Sequence, residues 1–186
     1  KPLVESETDR IEKEITYMDA HPDVCILGAS AFNVDKKDRI IGPQLQATED
    51  VDIRFQTLFS PAFYHPTCMY RASIIRKHEL RYREDIRAGL DSEFWLQMMI
   101  HGKAANLEDP LLCYRIHAAS VSHMKRSTQD REKRAVYTSA ITKYMDISDA
   151  DKEEFADVTD IIAQRPSATS KNIEKVERIL LNTLDA

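Results

Sequence analysis

The sequence predicts an α/β fold followed by a helical C-terminal segment. Three observations carry this. Val24–Val34 (VCILGASAFNV) is rich in β-formers and small residues, as a buried strand is. Residues 90–101 (LDSEFWLQMMIH) are apolar past their first turn except at Gln97, which suits a helix buried nearly all round. Beyond about Ser120 the pattern is helical only, so 1–122 read as an α/β part and 123–186 as a helical extension.

The elements follow in order. Over residues 7–20, Ile11, Ile15 and Met18 recur at helical spacing until Pro22 stops the helix. After the strand 24–34, the polar turn 35–38 leads to a short strand at 39–41. A helix over 49–59 carries Val51, Phe55 and Leu58 on one side. Pro61 and Pro66 bracket an irregular aromatic stretch, followed by a strand at 67–71 and a short helix at 72–78. Gly102 is placed to cap the buried helix. Residues 104–107 and 111–115 read as two strands separated by Asp109-Pro110. Three amphipathic helices follow, over 127–144, 149–164 and 170–184.

Composition narrows the function. Of the 186 residues, 42% are hydrophobic and 31% charged, which is a globular and not a disordered balance. The net charge of −5 argues against a grip on a nucleic-acid backbone, and clusters such as Lys36-Lys37 and Lys125-Arg126 are short. Cys25, Cys68 and Cys113 lie far apart, with no C-x-x-C pair, so they read as reduced thiols in a cytosolic compartment. No apolar run reaches bilayer length and Lys1-Pro2-Leu3-Val4 does not resemble a signal peptide, so membrane contact is expected to be peripheral at most. There is no G-x-S-x-G or H-E-x-x-H, and four glycines leave little room for a phosphate-cradling loop. His117 and His123 are too far apart for one helical turn, which makes a metallohydrolase a poor rival.

Five segments carry a family resemblance. They are Asp9-Arg10-Ile11-Glu12-Lys13, His21-Pro22-Asp23-Val24, His65-Pro66-Thr67-Cys68-Met69-Tyr70-Arg71, Leu90-Asp91-Ser92-Glu93-Phe94-Trp95-Leu96 and Asp109-Pro110-Leu111-Leu112-Cys113-Tyr114-Arg115-Ile116-His117. In this order and spacing, about residues 9–122 resemble the acceptor-side half of family 2 glycosyltransferases of the nucleotide-diphospho-sugar (GT-A) type. The resemblance implies an incomplete GT-A-like sandwich with a mostly parallel sheet. It also implies transfer of a sugar from a nucleotide-sugar, such as a UDP-sugar, to a saccharide or other hydroxyl acceptor with inversion, in cell-surface polysaccharide synthesis. The Asp-x-Asp segment of such enzymes would fall at or before Lys1-Pro2-Leu3-Val4, which holds no acid. Glu5 and Glu7 read as a solvated helix start. The donor half is therefore expected outside this chain, leaving it inactive alone.

The same resemblance implies the site residues. Asp91 matches the aspartate of the acidic acceptor-site motif, whose preceding acid is here Leu90, and would be the general base, with Glu93 as a helper. Read from the residues alone, Asp91 is an N-cap sooner than a base, and the two roles are compatible. His117 matches a histidine that ligates Mn²⁺ or Mg²⁺ in metal-dependent relatives. His65, Thr67, Tyr114 and Arg115 complete an acceptor-binding set. His65 reads also as a satisfied core histidine, and Arg115 as a brace for Asp91 or another buried acid. Trp95, with Phe94, Met98 and Met99, reads as core and not as a sugar platform. The rival function is a non-catalytic assembly module whose C-terminal helices engage a partner. A sheet lacking its first strands also predicts self-association through an open edge.

Overall fold

A computed structural model describes residues 4–6, 9–57, 60–85 and 89–116. The expected C-terminal helices and His117 lie outside the described residues. The elements are β1 (Val4–Ser6), α1 (Arg10–Ala20), β2 (Val24–Val34), β3 (Ile40–Gln44), α2 (Asp50–Thr57), a 3-10 turn (His65–Thr67), β4 (Met69–Tyr70), α3 (Ala72–Lys77), α4 (Leu90–Met99) and β5 (Lys103–Arg115).

β2 is the spine of a mixed five-stranded sheet; the α/β expectation holds, but the mostly parallel sheet that the resemblance implies is not what the described residues form, since only β2 and β5 pair in parallel among them. β5 runs parallel along one side of it. On the other side β4 pairs antiparallel with Ile26 and Leu27, and β3 with Ala31 to Val34. β1 pairs antiparallel with Leu112 to Tyr114 of β5. Successive residues of a strand face opposite ways, so β2 serves two cores. A register shift between Val24 and Ile26 brings Cys25 and Ile26 to the same face, where they join Ile53, Phe63, Phe94, Trp95, Met98 and Met99. Leu27 joins Met18 and Ala105 on the other, beneath α1. Gly28 permits the closest approach in this spine. A Cβ there would lie 2.3 Å from Asn106 Oδ1 and 2.7 Å from a Phe63 ring carbon.

Glu5, expected at a helix start, lies in β1, and four further expectations change. The two strands expected at 104–107 and 111–115 are one, β5, carrying a bulge. Leu107 lies opposite Ala29 but Pro110 lies opposite Ser30, so Glu108 and Asp109 are extruded. The strand expected at 67–71 shrinks to Met69–Tyr70 behind the 3-10 turn, where Thr67 Oγ1 donates to Tyr64 O at 2.8 Å. Gly102 does not cap α4; Ile100 does, and the Gly102 carbonyl instead accepts from Arg54 Nη2 at 2.8 Å.

The fourth change concerns helix faces. Ile11 and Ile15 are half exposed, while Glu14 and Met18 point inward. Arg10 Nη1 reaches both Glu14 oxygens, at 2.9 and 3.0 Å, and this pairing is what makes a carboxylate tolerable there. On α2, Val51 and Phe55 face out and Ile53 and Thr57 face in. Asp50 sets that rotation: its Oδ1 accepts from Ala104 N at 2.8 Å and its Oδ2 from Arg54 Nε at 2.9 Å. Polar anchors override the apolar stripe in both helices.

Candidate active site

α4 hands over to β5 through only Ile100, His101 and Gly102, and Cys25 Sγ near the start of β2 donates to Met98 O at 3.2 Å. The first turn of α4 therefore lies toward the carboxyl ends of β2 and β5, where open α/β sheets bind ligands. Asp91 sits in that turn, half buried. The N-cap is Gly89, whose φ of 79° is natural for glycine, so Asp91 is not the capping residue. Its Oδ1 accepts from Ser92 N at 3.0 Å, which fixes the carboxylate on the helix end. One and a half turns on, Gln97 Nε2 donates to Glu93 Oε2 at 2.6 Å and to Arg81 O at 3.0 Å. These bonds tie the segment before α4 along the helix.

An aromatic wall adjoins this turn. Phe94 and Trp95 follow Asp91 by three and four residues, the spacing that shares a helix face. Trp95 is fully buried, as a core residue, and its Nε1 donates to Tyr70 Oη at 3.1 Å. Tyr82 stacks on Phe94 with centroids 4.4 Å apart and planes at 17°. His65 Nε2 lies 3.2 Å from the Tyr82 hydroxyl, and the His65 ring is 6.4 Å from that of Trp95. His65 itself is exposed, not a core histidine.

The loop carrying His65 also touches β5. Tyr64 tilts against Tyr114 at 5.6 Å, and burial pushes the Tyr64 phenol up to about 12. Tyr114 lies opposite Asn33 at the end of β2. Thr67 is fully buried: it accepts from Ala29 N at 3.0 Å, so its hydroxyl holds the loop to β2. Arg115 is buried and donates to Asp35 O at 2.9 Å while pairing with Asp38. The acid it braces is in the β2–β3 turn, not Asp91. Within that turn Asp35 accepts from Arg39 N and Lys37 N, which holds its carboxyl down to about 2.

Neither Cys25 nor Cys68 offers a nucleophile. Burial raises Cys25 and Cys68 to about 12 each, so both are thiols at neutral pH. A separate groove of about 740 Å³ opens between α1 and the β5 bulge, lined by Asp9, Lys13, Tyr17, His21, Leu107 and Asp109 among others. Among the described residues no group of three or more His, Cys, Asp or Glu side chains is placed to hold a metal ion. No helix among them is long and apolar enough to cross a membrane.

The sequence reading missed Tyr82 and Tyr70 as parts of this wall. Tyr82 lies between recognisable elements, where neither periodicity nor a motif marks it. Tyr70 was visible as a member of a short strand and of the segment from His65 to Arg71, neither of which marks it as part of the wall.

Comparison with solved structures settles the architecture. S. aureus TarS (1-349) superposes with a TM-score of 0.51 at 14% identity, covering 82% of this chain and 42% of that one. The fold is TarS-like. A second TarS structure gives the same TM-score at 13% identity, over 84% of this chain and 26% of that one. In sequence, the chain is 28% identical over 144 residues to a Haemophilus influenzae protein described as an uncharacterized glycosyltransferase. That match covers 73% of this chain, which spans 44% of the length of the relative. No protein-family model matches the chain.

Proposed function

We propose that the chain is the acceptor side of a glycosyltransferase, with Asp91 as the general base. The observation that carries this is a half-buried carboxylate fixed on the first turn of α4, beside an aromatic wall. It stands in a chain similar to a protein named a glycosyltransferase.

In this reaction Asp91 removes the proton of the acceptor hydroxyl as that oxygen attacks the anomeric carbon. The new C–O bond forms while the bond to the donor diphosphate breaks, and the nucleoside diphosphate leaves with the electron pair. Attack from the face opposite the leaving group inverts the anomeric centre. The packed side of α4 supplies the rigidity that such a base needs. Glu93, held by Gln97, stands in the same turn as a second acceptor for hydroxyl protons.

The donor we infer is a nucleotide-sugar of the UDP-sugar kind, the acceptor a saccharide, and the setting cell-surface polysaccharide synthesis on the cytoplasmic side. Donor binding would call on chain of the kind that makes up more than half of the relative and lies outside the match. A Mn²⁺ or Mg²⁺ ion would neutralise the leaving diphosphate, and His117 is the residue of this chain proposed to help hold it. The described residues alone do not make such a site.

Two measurements test the reading. Asp91→Asn in the complete protein should lower transfer by roughly 10²–10⁴-fold with donor binding intact, as expected for loss of a general base. Retained turnover would remove Asp91 from that role. Calorimetric titration of this chain with a UDP-sugar and Mn²⁺ should show weak binding or none; micromolar affinity would mean that these 186 residues hold a donor site.

A further inference from the structure

The residue that stands out beside Asp91 is one that no motif marks. Tyr82 is 43% exposed although its ring lies nearly parallel on Phe94. An exposed tyrosine on a loop normally samples several rotamers, at an entropy loss when it is ordered. This one is held at both ends. Phe94 backs one ring face, and the hydroxyl is within hydrogen-bond reach of His65 Nε2. Its backbone is held as well, because Arg81 O accepts from Gln97 of α4. Phe94 is itself backed by the half-buried Tyr70, which meets it edge-on at 5.3 Å and receives the Trp95 indole N–H.

A flat apolar face with a fixed polar tip fits the C–H face of a pyranose and the hydroxyls on its rim. Phe94 follows Asp91 by three residues on α4, so a sugar lying on Tyr82 would rest on the base's side of the helix. We infer that Tyr82 is the stacking platform for the acceptor's pyranose ring, and that His65 is the positioning residue that locks the platform through the tyrosine hydroxyl. The inference rests on the reading of Asp91 as the base of a sugar transfer. It adds the means by which an acceptor is oriented, and it changes the role of His65 from direct ligand to anchor.

The test is a binding measurement. Saturation-transfer-difference NMR with methyl glycosides of glucose, galactose and N-acetylglucosamine, with ring-fluorinated tyrosine in the protein, reads both partners. At least one glycoside should receive saturation on its C–H face and shift the Tyr82 fluorine signal. Tyr82→Leu keeps packing on Phe94 but has no aromatic face, and should weaken binding about 5–10-fold, the scale of one aromatic contact. Tyr82→Phe keeps the face and frees His65, so it should weaken binding less while shifting the His65 ring resonances. No response of Tyr82 to any of the three glycosides would overturn the inference, as would unchanged binding in Tyr82→Leu. The Trp95 fluorescence of each variant, matched to wild type, reports an intact core. Asp91→Asn separates this from the reading beneath it: glycoside binding with full turnover in that variant would sink the base and leave the platform standing.

Discussion

The two faces of the sheet are built on different principles. On the α4 side, Phe94, Trp95, Leu96, Met98 and Met99 are all buried, and area is the organising force. On the α1 side, Met18, Leu27 and Ala105 make a thin layer, Glu14 is buried, and Ile11 and Ile15 look outward. That face is positioned by an ion pair, Arg10 with Glu14, and by Lys13 reaching Asp9 and Asp109, each at 3.1 Å. The difference teaches that the candidate chemistry grows from the stiff face. Asp91, Phe94 and the Tyr82 platform all hang on α4.

If so, injury should be graded by face. Trp95→Ala should be the worst change, at about 3–5 kcal/mol for a large buried aromatic, with the Tyr70 hydrogen bond lost as well; urea unfolding would show it. Gly28→Ala should follow at about 1–3 kcal/mol, the range for overpacking, because its Cβ would lie 2.3 Å from Asn106 Oδ1. A neutral result by thermal melting would mean that the spine is looser than these distances imply.

On the thin face the effects should be smaller and dependent on pH. Burial raises the Glu14 carboxyl above its ordinary 4.5, against the pull of Arg10. An acid raised in the fold binds its proton more tightly there than in the unfolded chain. Its contribution is therefore full below 4.5 and lost as pH rises through the folded value. Glu14→Gln should flatten that decline, measured as unfolding free energy from pH 4 to 7; an unchanged slope would contradict it. Smallest of all, Ile15→Ser should move stability by less than about 0.5 kcal/mol, as for a surface position. A larger loss would place Ile15 in a contact of its own.

How much of this was legible beforehand follows the same division. β2 and α4 are nearly uniform in polarity, so their burial could be read from composition alone, and both appear where expected. The outward and inward sides of α1 and α2 could not. Apolar periodicity assumes that burial follows hydrophobicity, whereas here Glu14 and Asp50 go inward because each meets a specific partner. The site divided likewise. Asp91 could be found from its motif, and His65 from its aromatic neighbours. Tyr82 could not, because its position comes from a stack and a hydrogen bond across 17 residues. Thr67 and Arg115 were readable as polar residues near the loop and strand end, but not the backbone oxygens they serve.

The bulge in β5 has a consequence for how the strand keeps its alignment. Ahead of it Ala105 faces Leu27; past it and a second register shift between Ser30 and Phe32, Tyr114 faces Asn33, so β5 has gained three residues on its neighbour, two of them at the bulge. Were the ladder to slide into an unbroken pairing, Leu111 and Leu112 would arrive opposite Asn33 and Val34, displacing Tyr114 and Arg115. The irregular pairing is thus what sets a phenol and a guanidinium, and not two leucines, at the far end of the ladder.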